Sequence, residues 1–298
     1  MAKFDLRKQK EIVIPSGINV GISSLIGKHQ ALITQQSEKK RLQGFEDMLY
    51  DCIDYIGDKR KPELTKKDIL RLFEPDRKAI LFELRHLSNG ENREFIFDFE
   101  FPTEGGRKLK ERKVVDFDET NFPVKPFFWV VQEMEECYRA KHQVDGELTE
   151  DQSVEAVTGV FPVMFNNYTE ITDAYDEQEF LLPECNIKVV WKLLTAEGAA
   201  KFQGVISEES VNSHTQIQMH SPTYVDEDLS KGRDKPVVLP VPLDRLTLTD
   251  IEALRKDILN KEADVESTIV VQYKKDSTKQ QQLNLITMPA FFFPSLAV

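Results

Sequence analysis

Residues Glu63 to Phe101 read ELTKKDILRLFEPDRKAILFELRHLSNGENREFIFDFEF and place helix signals, a stop and a strand signal side by side. Thr65 stands where it caps a short helix whose Ile69, Leu70, Leu72 and Phe73 form an apolar face. Pro75 closes that helix and, with φ held at about −65°, opens the next. There Ile80, Leu81, Leu84 and Leu87 recur at helical spacing as one stripe, while Arg77, Lys78, Glu83 and Arg85 fall mostly off it. Ser88, Asn89 and Gly90 end the helix by offering a left-handed position. The period then changes to two, with Phe95, Phe97, Phe99 and Phe101 on one face of a strand and Asp98 and Glu100 on the other. Four phenylalanines on one face predict burial of Phe95, Phe97 and Phe99 against a wall, for which the preceding helix is the nearest candidate. A helix running straight into such a strand points to an α+β fold.

Before this stretch, EIVIP, a Ser16-Gly17 turn and the alternation of Ile18, Val20 and Ile22 predict a strand pair. A helix is expected near Lys28 to Gln36 and a longer one from Lys40, with Phe45, Met48, Leu49, Cys52, Ile53 and Ile56 on its face and Gly57 at its end. After it, Lys113 to Phe117 returns as the second strand of a basic-tipped hairpin. Trp129 to His142 and Glu150 to Thr158 read as helices, the second inside an acidic segment that resembles an insertion.

From Phe180 the pattern returns. FLLPECNIKVVWKLLTAEG sets apolar residues, a proline, a short turn, alternating Ile187, Val189 and Trp191 and a helix start at Thr195, as IVIPSGINVGISSLIGKHQ does. LTLTDIEALRKDILNKEAD then offers Thr249 as a cap and Ile251, Leu254, Ile258 and Leu259 as a stripe. STIVVQY, a polar tip KKDSTKQQQ and LNLITM follow as a second hairpin. The reading is two related modules of short antiparallel strands or hairpins and packed helices: 1–128, and 178–298 with an apolar C-terminal tail, joined by a helical and acidic insert, 129–177.

The net charge is −12, and between Gln143 and Ile187 stand eleven acids with no Lys or Arg, so the rest of the chain carries only −1. Such a surface repels phosphate and disfavours nucleic-acid binding. The opposite sign gathers in RKLKERK, Arg107 to Lys113, and the two regions predict charge complementarity with each other or with a partner. No run approaches the roughly 18 apolar residues of a membrane span, and the N-terminus lacks an apolar signal core, so a cytosolic product is expected.

Cys52, Cys137 and Cys185 are odd in number and lack zinc-site spacing, which predicts buried free thiols. Gly105-Gly106-Arg107 lacks the framework of a phosphate loop, His214 and His220 are spaced too far apart for one helical face and read as solvated, and no glycine-flanked serine elbow occurs. No catalytic residue, cofactor, metal or small-molecule substrate is assigned, and the chain is not read as an enzyme.

On PELTKKDILRLFEPDRKAILFELRHLSNGENREFIFDF and FLLPECNIKVVWKLLTAEG, the chain resembles the baseplate hub family of T-even-like contractile-tailed bacteriophages. The likeness is one of layout: an N-terminal strand pair leads to helices, then to a helix ending in Leu84, Arg85, Ser88 and Gly90, then to a hairpin. The second passage is similar to the apolar strand and LT-acidic start of such proteins, here Leu194, Thr195 and Glu197. Where some relatives carry cysteine pairs in the hairpin, this chain has phenylalanines, so no metal is carried over. The resemblance implies a subunit of the tail baseplate contacting hub, wedge or tape-measure proteins, present in the host cytoplasm during assembly and then in the virion. The alternative is a tail assembly chaperone that holds the tape-measure protein and leaves.

The tail MPAFFFPSLAV is apolar on both faces, and Pro289 and Pro294 limit its pairing in a sheet. Phe291, Phe292, Phe293, Leu296 and Val298 are therefore expected to bind a partner.

Overall fold

The computed structural model describes residues 7–34, 37–90, 94–102, 108–116, 123–206, 213–273 and 276–293. Strands β1 (Gln9–Val13) and β2 (Asn19–Ser23) form the first pair, joined at the Pro15-Ser16-Gly17 turn. Helices α1 (Gly27–Ile33) and α2 (Glu38–Cys52) follow, and strands β3 (Ile53–Ile56) and β4 (Lys59–Arg60) complete an antiparallel sheet in the order β1-β2-β3-β4. Helix α2 thus stops at Cys52, earlier than its apolar spacing suggests. Ile53 and Ile56 instead pair opposite Ile22 and Val20, where they remain fully buried and their backbone groups join a ladder.

Helices α3 (Lys66–Arg71) and α4 (Glu74–Asn89) then appear, with Asp68 accepting the Thr65 N–H and Gly90 ending α4 at φ 57°. Strands β5 (Glu94–Pro102) and β6 (Lys108–Asp116) pair over their whole lengths, a longer return than Lys113 to Phe117 alone. The side chains of Phe95, Phe97, Phe99 and Phe101 lie outside the described residues. A short strand β7 (Val124–Lys125) leads to helices α5 (Phe128–His142), α6 (Glu150–Ala156) and α7 (Tyr168–Tyr175).

The second half repeats this order. Strands β8 (Glu177–Leu181) and β9 (Lys188–Lys192) precede helices α8 (Ala196–Ile206) and α9 (Ser213–Met219). Strand β10 (Thr223–Asp226), a turn of helix α10 (Glu227–Ser230) and strand β11 (Val237–Pro240) complete a second four-stranded antiparallel meander, β11-β10-β9-β8. Helix α11 (Leu248–Lys261) takes the place of α4, and its cap is Thr247, whose Oγ1 accepts the Asp250 N–H, not Thr249. Strand β12 (Asp264–Val265) pairs with β7, and β13 (Thr268–Tyr273) pairs with β14 (Asp276–Asn284). Most of KKDSTKQQQ is therefore strand, and Leu285–Thr287 turns as a 3-10 helix before the last helix, α12 (Pro289–Phe292).

The two halves also share a buried device. Asp76 Oδ1 accepts the N–H of Ser16 at 2.9 Å, and Asp250 Oδ1 accepts the N–H of Glu184 at 2.8 Å. Each donor follows a proline in the turn between the first two strands of its half, and each aspartate lies in the first turn of the helix that enters the hairpin. Both carboxylates are fully buried.

The proposed boundaries at 128/129 and 177/178 do not separate cores. One cluster of buried side chains runs from Ile12 through Trp129 and Ile171 to Phe292. Leu72 and Glu74 exchange backbone hydrogen bonds with Ala196 and Leu194 around a Phe73–Thr195 bridge, joining the halves directly.

Candidate interaction surfaces

The acidic middle segment is a wedge packed against the first half, and the Leu193 N–H donates to its Asp176 O from the second. Phe165 forms a parallel bridge with Ile18, the Met164 N–H donates to Gly17 O at 2.8 Å, and the Asp58 N–H donates to Asn166 O at 2.6 Å. Gly57 has φ +57°, and a Cβ there would run into the Asn166 carbonyl, so this close approach requires glycine. Behind the wedge, Trp129 stacks on Phe127 at 4.5 Å and on Tyr175 at 4.4 Å, and its Nε1–H donates to Ser16 O. Phe165, Tyr168, Ile171 and Tyr175 of the segment pack into this core.

A groove of about 930 Å³ lies between α3 and α7, where Asp58, Glu63 and Asp68 of the first half and Glu170 and Asp173 of the acidic segment face Lys59 and Arg71. Burial pushes the Asp68 carboxyl up, but hydrogen bonds from Lys59 Nζ, at 2.7 Å, and Thr65 outweigh it and hold the group below the usual carboxylate range. The groove suits a cationic or polar segment. A second groove, of about 520 Å³, runs between β7 and α6 and is lined by Val124, Pro126, Val131, Val154 and Val157, with Lys125, Glu135 and Asp264 beside them. Val154 is 62% exposed there, so this groove offers apolar area to a partner.

Two buried clusters hold residue types used in catalysis. His29 Nδ1 accepts the Ile26 N–H at 3.0 Å, which leaves Nε2–H to donate to Asp51 Oδ2 at 2.7 Å. Cys52 Sγ lies 3.7 Å from Nδ1 and 3.9 Å from Nε2, beside the ring. Burial raises the Cys52 thiol to about 12 and lowers the His29 imidazole despite the pull of Asp51. A protonated, fully buried thiol is not a nucleophile, and the cluster fastens α1 to α2. The other cluster is Asp76 with Ser16 and Tyr168, where desolvation lifts the carboxyl to about 7 against the hydrogen bonds that favour its charge. Asp250 differs: burial raises it, but hydrogen bonds from Glu184, Thr247 and Cys185 bring it below its ordinary value. Neither cluster was legible in the sequence, because His29 and Asp51 are 22 positions apart and Asp76 and Tyr168 are 92.

Among the described residues, no group of three or more His, Cys, Asp or Glu is arranged to hold a metal ion, and no helix is long and apolar enough to cross a membrane. Only Cys52 is buried; Cys137 and Cys185 are exposed. His220, expected to be solvated, is buried between Lys192 O and Glu262.

The tail residues assigned to partner binding do not form one exposed element. Phe291 and Phe292 are buried in the core, against Phe82 at 5.5 Å and Phe45 at 5.7 Å. Pro289 supplies the reason, since it starts a helical turn that folds both rings inward. Phe293 is half-buried, and Leu296 and Val298 lie outside the described residues. No family model matches the chain, and neither a curated protein nor a solved structure does.

Proposed function

We propose that this chain is a structural or assembly subunit of a contractile phage tail baseplate, acting near the hub through protein contacts and without chemistry of its own. The observation that carries the reading is the meeting of the two passages that resemble the baseplate hub family. Leu72-Phe73-Glu74, which opens α4, pairs with Leu194-Thr195-Ala196, which opens α8. The resemblance therefore falls on one shared seam and not on two unrelated surface stretches. The acidic and apolar grooves on either side of the wedge supply surfaces for other baseplate, hub or tape-measure proteins. Neither nucleic acid nor a membrane is a partner in this reading, and the protein passes from the host cytoplasm to the tail baseplate.

The apolar groove beside β7 favours a second reading, a tail assembly chaperone whose client is an apolar segment of the tape-measure protein. Mass spectrometry of purified phage particles separates the two. The structural reading expects this chain in intact particles at a fixed ratio to other baseplate proteins. Its absence from particles, with co-purification of the tape-measure protein from infected cells, overturns that reading in favour of the chaperone. Absence from both removes the phage assignment.

A further inference from the structure

Arg85 is only 1% exposed, and its Nε and Nη2 atoms are buried without a hydrogen-bond partner. Its guanidinium lies over the ring of Phe291, with 5.7 Å to the centroid. A ring face attracts a cation, but it does not replace the acceptors that a buried guanidinium loses on leaving water. An apolar side chain of similar length would fill this place at lower cost. Buried donors left over in this way call for an explanation.

One part of the cover over Arg85 is helix α12, which also packs on β5. Helix α12 spans four residues and has no side-chain cap. It is held by Phe291 against Phe82, by Phe292 against Phe45, and by the Asn89 Nδ2–H donating to Phe292 O at 3.1 Å. Beneath it lie Phe45, Phe82 and the Arg85 guanidinium, each in contact with one of its two rings. That face is complementary to an apolar segment with one carboxylate at its centre, which a fork-shaped guanidinium holds by two parallel hydrogen bonds. We infer that α12 is a removable cover, and that the face of α4 and α2 beneath it docks an apolar, carboxylate-bearing segment of an assembly partner, with Arg85 receiving the carboxylate. The inference rests on the assembly reading for the nature of the partner, while the face itself follows from Arg85 and its cover.

The test uses the full chain. Phenylglyoxal labelling of Arg85, followed by peptide mass spectrometry, reports opening of the cover, and the fully buried Cys52 thiol labelled in parallel reports opening of the core. Arg85 is expected to react at least tenfold more readily than Cys52, relative to the unfolded chain, and Phe291→Ala to widen the gap. Equal protection of the two overturns the cover.

The docking probe is a blocked synthetic peptide, Phe-Leu-Glu-Leu-Phe, compared with its Gln analogue. The Glu peptide is expected to bind at least tenfold more tightly and to protect Arg85, and Arg85→Met to abolish the difference while leaving the chain folded. Equal binding of the two peptides, or a preference that survives Arg85→Met, overturns the docking site. These readouts do not depend on particle composition. Peptide discrimination with no chain in phage particles would remove the baseplate reading alone, and the reverse result would remove the docking face alone.

Discussion

The Tyr168 hydroxyl joins the acidic wedge to the first half of the chain: it donates to Asp76 Oδ2 at 2.8 Å and accepts the Phe73 N–H at 2.5 Å. Tyr168→Phe keeps the ring but strands a buried carboxylate oxygen and a buried N–H. The expected loss is about 1–3 kcal/mol for each stranded group. Urea unfolding followed by tryptophan fluorescence measures it, and a loss below about 0.5 kcal/mol would show that the hydroxyl does not hold the wedge.

Asp76 gives stability a particular pH dependence. Its folded pKa, raised to about 7, lies above the ordinary value of 3.8, so the folded chain binds this proton more tightly than the unfolded chain. The contribution of this group is therefore most favourable below pH 3.8 and is lost as pH rises through about 7. Asp76→Asn removes the titration. Across that window the wild type should lose stability relative to the variant as pH rises, and parallel curves for the two proteins would refute the shift.

Phe292 is 1% exposed, and Phe292→Ala is expected to cost about 3–5 kcal/mol if its site does not collapse. Deleting Phe291 to Val298 should destabilise the isolated chain further, because two buried rings leave together. Thermal melting of the deletion with an unchanged midpoint would mean that these rings are not part of the core.

Glycines separate close approach from ordinary space. Gly57→Ala meets the Asn166 carbonyl at a positive φ and is expected to destabilise by more than about 1 kcal/mol. Gly27, in the first turn of α1, has nothing near its would-be Cβ, and Gly27→Ala is expected to be neutral or stabilising by up to about 1 kcal/mol. Denaturant midpoints of the pair test this, and an equal effect at both positions would contradict the wedge geometry.

Local signals carried far along this chain. Thr65 precedes α3, Pro75 stands in the first turn of α4 and Gly90 ends it, because caps, a fixed φ and a left-handed stop act within a few residues, whereas α3 stops at Arg71 and leaves Leu72 and Phe73 outside it. The change of period at Phe95 likewise marks β5, and the repeated order of strand pair, helices and hairpin is present in both halves. An α+β fold follows from these features alone.

Tertiary structure decided the rest where two distant surfaces had to meet. Ile53 and Ile56 fit a helical stripe as well as a strand, and only the open ladder of β2 selects the strand. The acids of residues 143–187 dominate that segment's composition, yet Tyr168 and Ile171 set its place, because a few buried groups outweigh many solvated charges. Phe291 and Phe292 read as exposed while no cover was known, and α4 and α2 provide one. The sequence determines which segments become helix or strand, since those preferences are satisfied within a few residues. Which apolar faces remain free, and that Arg85 Nε and Nη2 are buried without an acceptor, are set by contacts between residues more than 200 positions apart, which no local pattern encodes.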